Sequence, residues 1–504
     1  MTATFPTASR YLRASGRCFS GFNDEHEGPW AGNWTFVILA DTQFGLLKAK
    51  FELFPDQPDG FERAMSTNRV GDLFSGQAWE VERAMAVEAV RHCNWLMPKF
   101  VIVCGDMIDA MPVTGRSIDE GRDGRNEVLR QKQIDDFKSV FADLHPDISL
   151  LCVCGNHDVG NVPNRKTIQD FRREFGDDYF SFTAGGCRCL VLNTQLYNAL
   201  EEGRWNDTAH RYYHATDDEK AEACELAQEQ VSWLEAECRT IAQRPTFAHV
   251  FCFSHIPPFL QTPDEPKGYY NLEPHVRRSL LDQVKSAGCT KWFCGHYHQN
   301  AGGHDGTMEV VITGAAGTLI PLKPDVPPKS PEALSPTGQD FSNMQCSLEV
   351  SGLRIVTVTQ KDVHHVWYTY AQLAAMQQEK VKMLEKTGFV KVIGIRPEAK
   401  GVNVMAKCVK APMLAEGNSN FQDVVLGDET GVVTVRLQSD AEAQISACTP
   451  GASLQVQNGT VEMVNGHIRL VIDRWADLTP ADPSVMFEVP TSEDVVAVES
   501  ELGQ

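Results

Sequence analysis

The stretch "FVILADTQFGLL", residues 36–47, decides how the rest of the chain is read. Four apolar side chains and an alanine lead into Asp41, and Thr42, Gln43 and Gly45 then turn the chain. An uninterrupted apolar run of this kind reads as a strand buried on both faces of a parallel sheet. Its acidic end lies where such sheets present functional groups, beyond the carboxyl ends of the strands. Gln43, two residues past the acid, is the neighbour that needs explaining.

The same texture recurs downstream in "KFVIVCG" (99–105), "ISLLCVCG" (148–155), "CLVLNT" (189–194), "FAHVFCFSH" (247–255) and "TKWFCGH" (290–296). Amphipathic helical stretches such as 77–96 and 217–243 separate these runs. The alternation predicts an α/β layer with a largely parallel sheet. From 343 to 369, "MQCSLEV", "LRIVTVT" and "VHHVWYTY" read as strand after strand, predicting a second sheet that closes the domain before a helix near 371–385. The Pro-rich segment 320–338 reads as an irregular loop. Past Gly388 the chain breaks into short strands punctuated by turn residues at Glu429–Gly431, Asn458–Gly459 and Asn465–Gly466, the texture of a small β-barrel. The organisation expected is an N-terminal arm (1–30), the α/β domain (31–386), the barrel (387–480) and an acidic flexible tail (481–504).

Composition narrows the class. A chain of 504 residues, 42% hydrophobic and 22% charged, is globular material for two or three domains. A net charge of -21 argues against a chain devoted to coating nucleic acid or anionic membranes. No apolar run approaches the roughly 20 residues that span a bilayer. Many of the fifteen cysteines, including Cys104, Cys152, Cys154, Cys252 and Cys294, sit in strand-like runs, where free Cys acts as a small buried hydrophobe. No CxxC pair suggests structural zinc, and the reading is a reduced compartment, cytoplasmic or nuclear. The first 23 residues hold Arg10, Arg13 and Arg17 without an acid, a faint transit-peptide texture outweighed by the plainer reading of an arm.

Five polar motifs follow five of the apolar runs: Asp41-Thr42-Gln43, Gly105-Asp106-Met107-Ile108-Asp109, Gly155-Asn156-His157-Asp158, Ser254-His255 and Gly295-His296-Tyr297-His298. In an α/β sheet such ends converge on one edge, so residues distant in sequence meet. Two Asp, one Asn and three His suit a pair of divalent ions at mixed nitrogen and oxygen sites. The glycines before Asp106, Asn156 and His296 read as permitting sharp strand-to-loop turns. Each motif alone is weak, and a single His such as His255 is usually a core residue. Five in order carry the signal.

Together these motifs resemble the calcineurin-like metallophosphoesterase superfamily, from about residue 10 to 385. "ADTQFGL", "GDDYFSF" (176–182), "LVLNTQLY", "HIPPFL" (255–260) and "GHYHQNAGG" (295–303) resemble its calcineurin-like phosphoesterase domain-containing protein 1 branch. The resemblance implies a four-layer sandwich, two mixed β-sheets flanked by helices, with two divalent ions drawn from Mn, Mg, Fe and Zn. Asp106 would bridge the ions. Asp41, Gln43 and His298 would complete the first site, and Asn156, His255 and His296 the second. His157 would protonate the leaving oxygen, Asp109 would orient it and raise its affinity for a proton, and Asp158 would support the group from behind. Gln43 stands where the superfamily pattern has His. Its amide oxygen is a weaker and harder donor than imidazole, which favours Mn²⁺ or Mg²⁺ beside it.

The implied reaction is hydrolysis of phosphate monoesters by a metal-bridging hydroxide, with a phosphoprotein Ser/Thr phosphatase as the leading reading. Hydrolysis of small phosphodiesters or nucleotides is the alternative within the enzyme class. A metal-binding scaffold that catalyses nothing is the alternative outside it. Asn156, Arg165 and Tyr269 are the candidate substrate contacts, with Tyr197, Tyr270 and the 320–338 loop as rim; Arg172 and Arg173 read as a solvated helix face.

Residues 388–480 resemble an oligonucleotide/oligosaccharide-binding (OB) fold, nearest to the small single-stranded-DNA-binding component of the SOSS complex. "LGDETGVVTVRL" (426–437), "TPGASLQVQNG" (449–459) and "NGHIRLVIDR" (465–474) carry it. Strand binding by such barrels relies on aromatic platforms and a basic groove. Here Gln438, Thr460, Val464 and Val471 stand at the aromatic positions, and Phe389, Phe421 and Trp475 are the aromatics kept. The barrel is therefore expected to bind a protein partner or dock on the phosphoesterase domain. Nucleic acid, which Lys391, Arg396, Lys400, Lys407 and Lys410 would face, is disfavoured.

Overall fold

A computed structural model describes residues 13–47, 79–112, 125–197, 200, 217–386 and 388–481, apart from 23, 245, 416, 465, 466 and 474. The expected arm up to residue 12, the Asn465–Gly466 turn and the tail from residue 482 lie outside the described residues. The chain divides into two compact units, Met1–Leu373 and Ala374–Gln504.

In the first unit, β1 (Trp34–Leu39), β2 (Phe100–Cys104) and β3 (Ser149–Val153) run parallel, with Val37 opposite Val101 and Phe100 opposite Ser149. The chain then builds a second sheet from β4 (Phe180–Ala184), β5 (Cys187–Val191), β6 (Val250–Phe253), β7 (Cys289–Cys294), β8 (Ala301–Asp305) and β9 (Met308–Ile312), ordered β4-β5-β6-β7-β9-β8. Its interior strands are parallel, and β4 and β8 pair antiparallel at the two edges.

The expectation for 343–369 needs correction. "LRIVTVT" and "VHHVWYTY" supply β10 (Gly352–Val358) and β11 (Val363–Thr369), but these extend the first sheet, giving the order β11-β10-β1-β2-β3. "MQCSLEV" forms no strand. Ser347 draws that segment into a turn, its hydroxyl accepting from the Glu349 amide (3.3 Å) and its carbonyl from the Ser351 amide (2.9 Å). Such local side-chain bonding competes with a sheet ladder. Segment 320–338 is likewise not wholly irregular: Ser330 and Ser335 cap short 3₁₀ turns at Pro331–Leu334 and Pro336–Gly338.

The two sheets share one aromatic core. Phe36 of β1 stacks on Phe100 (4.8 Å) in its own sheet and meets Phe293 of β7 edge-on (5.8 Å, 87°). The N-terminal segment joins this core through Ala14, Phe19 and Phe22. The helices include α1 (Glu80–Leu96) and α2 (Arg125–Phe141), then α3 (Asn156–Val159), α4 (Arg165–Phe175), α5 (Asp217–Ala242) and α6 (Pro274–Ser286). Leu234 and Ile241 of α5 and Leu280 and Val284 of α6 pack with Leu190 and Cys252 on the outer face of the second sheet. This is the four-layer sandwich. A last helix, α7 (Tyr370–Lys386), contains the division between units.

The second unit is a six-stranded barrel of β12 (Val402–Ala415), β13 (Asn418–Asp428), β14 (Gly431–Gln438), β15 (Ser453–Val464), β16 (His467–Val471) and β17 (Asp477–Pro480). Pairing of β12 with both β13 and β15 closes it. The Asp428–Gly431 turn shows why "DETG" sits there. The Asp428 carboxylate accepts from the Thr430 amide (2.8 Å) and the Val392 amide (2.9 Å), and Gly431 takes a φ of 158°. Among the described residues no helix is long and apolar enough to cross a membrane.

Candidate active site

Loops leaving β1, β2, β3, β6 and β7 carry the five motifs to one place, and the backbone sews them together. The Asp41 amide donates to Gly105 O (3.1 Å), Gln43 to Asp106 O (2.9 Å) and Gly295 to His255 O (3.1 Å). Asp41, Gln43, Asp106, His296 and His298 all take positive φ, between 36° and 71°. These five are most of the non-glycine residues described in that conformation, so strain of about 1–3 kcal/mol each is concentrated here.

The motif glycines have a different reason from the one expected at two of three positions. Gly105 takes a positive φ of 87°, but Gly155 and Gly295 do not. At Gly155 a Cβ would lie 2.1 Å from Asp106 Oδ1, and at Gly295 it would lie 2.7 Å from Cys104 O. Close approach, not turn geometry, excludes a side chain there.

His255 Nε2 is the hub of one group. Asp106 Oδ2, Asn156 Oδ1 and His296 Nδ1 each lie 3.1 Å from it. The other His255 nitrogen, Nδ1, donates to Cys104 O (2.8 Å), so Nε2 is the ring nitrogen that faces these three electron-rich atoms. A single proton satisfies one such contact, whereas a cation takes all four atoms as ligands, and a backbone carbonyl behind the ring is the usual support of a metal-binding His. Asp106, His255 and His296 offer ligand atoms that all lie within 4.8 Å of one another.

The second group is Asp41, Gln43 and His298. His298 Nε2 lies 3.5 Å from Asp41 Oδ1, and its Nδ1 is held by Thr318 O (2.6 Å). Gln43 Oε1 is buried without a hydrogen-bond partner. Its amide nitrogen is spoken for, 3.1 Å from Asp109 Oδ1 and 3.0 Å from His157 Nε2. An orphaned buried oxygen is open to a cation, and the Asp41–His298 pair supplies ligand-type atoms, so the donor chemistry of both groups suits divalent metal.

His157 is anchored by Asp109, though chiefly through the backbone: Nδ1 lies 2.5 Å from the Asp109 carbonyl and 3.6 Å from its carboxylate. Asp158 stays behind the group, its carboxylate accepting from the amides of Gly155 (2.7 Å), Asp106 (2.8 Å) and Met107 (3.2 Å). Sequence reasoning missed Arg130 and Gln133, which no motif marks. From α2, the buried Arg130 donates to Ala110 O and His157 O (2.8 Å each) and to Asp158 O, clamping two motif loops together. Gln133 accepts from the Ala110 amide (2.9 Å).

Burial and mutual attraction shift these groups in opposite directions. Burial pushes the Asp41 carboxyl well above the usual range and Asp158 up to about 7. Burial opposes charge on Asp106 and His255 too, but their mutual attraction wins: Asp106 is held below the usual range and His255 rises to about 9. His296, buried beside the charged His255, is pushed well below 6.5.

Not every candidate joins the site. Arg165 is occupied by Glu222, Glu225 and Glu229 of α5 and makes no hydrogen bond or ion pair to the site residues. Arg172 pairs with Asp178, and Arg173 with Asp170 and Glu174. Tyr197 and Tyr270 are 2% exposed, so they are core rather than rim. Tyr269 does stand at the site, partly exposed, its ring 5.3 Å from that of His296 and its amide bonded to Leu334 O (3.1 Å).

Comparison with known proteins agrees with this geometry. Residues 35–300 match the family described as calcineurin-like phosphoesterase, and residues 395–480 the family described as single-stranded DNA binding protein Ssb-like, OB fold. The Danio rerio protein named Serine/threonine-protein phosphatase CPPED1 is 33% identical over 382 residues, 75% of this chain and 98% of that protein. Its Homo sapiens namesake is 34% identical over 369 residues, 72% of this chain and 92% of that protein. An uncharacterized Arabidopsis thaliana protein is 26% identical over 132 residues, 23% of this chain and 84% of that protein. With this coverage, the chain belongs to the calcineurin-like phosphoesterase family and carries an OB fold behind its phosphoesterase domain.

Proposed function

We propose that the protein is a phosphoprotein Ser/Thr phosphatase that hydrolyses phosphate monoesters at a pair of divalent cations. The observation that carries this reading is the pair of donor sets: three ligand atoms, each 3.1 Å from His255 Nε2, and the Asp41–His298 pair together with the orphaned Gln43 Oε1. Asp106, Asn156, His255 and His296 would hold one ion, and Asp41, Gln43 and His298 the other, with Asp106 between them. When bound, such ions lower the pKa of the attacking water and offset charge on the transferring phosphoryl group.

The chain's own residues supply the proton for the leaving alkoxide. His157 Nε2 faces Gln43, and Nδ1 is fixed on Asp109 O, so the ring presents Nε2 in one orientation. In neutral His157, Nε2 accepts from the Gln43 amide. To act as an acid the ring carries a proton on Nε2, and the leaving oxygen replaces Gln43 as its partner. Tyr269 forms a fixed wall beside His296 against which a substrate segment would rest.

The test is hydrolysis of phosphoserine and phosphothreonine peptides by wild type and Asp106→Asn, each with Mn²⁺, Mg²⁺, Zn²⁺ and Fe²⁺. We expect wild-type turnover with at least one ion, and a loss of about 10² or more in Asp106→Asn. Inactivity of metal-loaded wild type on these peptides, or faster turnover of bis(p-nitrophenyl) phosphate, would overturn it.

For the OB barrel, a protein partner is the reading supported. Three of its bases pair with its own acids, Arg436 and Arg469 with Asp423 and Lys391 with Glu429, and Phe421 lies under Arg436 (5.7 Å) rather than forming an open platform. A reducing compartment, cytoplasmic or nuclear, is supported by the fifteen cysteines, all free.

A further inference from the structure

Glu82, in the first turn of α1, points inward and is 1% exposed. Burial pushes its carboxyl up to about 7, and an apolar side chain would cost less to bury. What the carboxylate supplies is direction. Its Oε1 accepts from the Leu47 amide (2.7 Å) and from the Thr318 hydroxyl (3.5 Å).

Each partner is one step from the Asp41–Gln43–His298 group. Leu47 closes the turn in which the Leu46 amide donates to Gln43 O (3.1 Å). Thr318 turns its carbonyl to His298 Nδ1 (2.6 Å), and Gly317 beside it donates to Asp41 O (3.2 Å). Two segments remote in sequence, 41–47 and 317–318, are thus joined through one carboxylate oxygen. The His255 group has separate anchors, Cys104 O behind His255 and Arg130 behind His157 and Asp158.

We propose that Glu82 is a positioning residue for one half of the centre, holding the Gln43 turn and the His298–Thr318 pair together so that Asp41, Gln43 and His298 close on one divalent cation. The proposal rests on the dinuclear phosphatase reading. It predicts an asymmetric defect: loss of Glu82 loosens one ion and leaves the other.

The experiment uses the full chain loaded with Mn²⁺, with metal per chain measured after dialysis alongside circular dichroism and turnover. Wild type and Glu82→Gln, whose amide oxygen still accepts from Leu47, should keep two ions. Glu82→Leu should keep one, the lost ion binding at least about tenfold more weakly, in the range typical of residues that orient metal ligands. Its kcat should fall and recover with excess Mn²⁺, a rescue that a purely structural defect would not show. If Glu82→Leu fails to fold, Glu82→Asp, with its acceptor drawn back by one methylene, takes its place with the same expectation. Two ions at wild-type affinity in Glu82→Leu, or in Glu82→Asp where it takes its place, or loss of both in proportion, would overturn the proposal. A wild type that binds none of Mn²⁺, Mg²⁺, Zn²⁺ and Fe²⁺ would instead overturn the phosphatase reading beneath it.

Discussion

His157 shows how much chemistry hangs on the orientation of one ring. Its Nδ1 is tied to Asp109 O, its backbone amide donates to Asp106 Oδ1 (2.9 Å), and Arg130 holds its carbonyl. The ring therefore keeps its aim without help from substrate, as the proposed general-acid role would require. His157→Ala should lower turnover of phosphoserine peptides about 10²- to 10⁴-fold, the usual worth of such a group. The same variant should lose far less on p-nitrophenyl phosphate, whose leaving group departs as a stable anion. Equal losses on both substrates would show that His157 serves some other purpose. Gln43 belongs at this scale too. The sequence marks it as the odd neighbour of Asp41, yet only the structure shows its amide nitrogen turned to Asp109 and His157 and its oxygen left free.

Helix α1 has no motif, yet its buried titratable groups include Glu82 and His92. His92 is fully buried, its ring stacked 6.0 Å from that of Tyr370 at the start of α7. Burial, and then the adjacent Arg91, lower it from 6.5 to about 4. Between these values the unfolded chain binds a proton that the folded chain refuses, so stability is full above pH 6.5 and falls as pH drops toward 4. The contribution is on the order of 3 kcal/mol. His92→Phe, which keeps a ring against Tyr370, should lose less stability than wild type between pH 7 and pH 4. Urea unfolding at stepped pH checks this, and parallel losses would refute it. At the same scale, β10 and β11 were legible as strands but not as partners of β1. Alternation reveals a strand, whereas its neighbour is chosen by which apolar faces meet, and here Val356 and Val358 of β10 complete the core around Phe36.

The whole molecule joins two units of different kind, an enzyme sandwich and an OB barrel. If the barrel serves a protein partner, the full chain should bind single-stranded oligonucleotides only weakly. Tight binding that weakens steeply with added salt, the signature of released counterions, would show instead that the barrel's lysines and arginines form a strand-binding face. Net charge weighs the same way, since -21 opposes association with a polyanion.

Sequence alone determined the parallel strands, the five motifs at their ends, the phosphoesterase family and the barrel. Each is written locally, in runs of apolar residues and in short polar motifs whose order survives without coordinates. Only the tertiary structure decided that Arg165 faces the α5 glutamates, that Tyr197 and Tyr270 are buried, and that Gly155 is bare because Asp106 comes within reach. It alone assigned Arg130 and Glu82 to the support of the site. Their work depends on which backbone atoms surround a buried charge, and those atoms come from segments far apart in the chain. A strand announces its own apolar run. A buried charge gives no sign of its partners until the chain has folded around it.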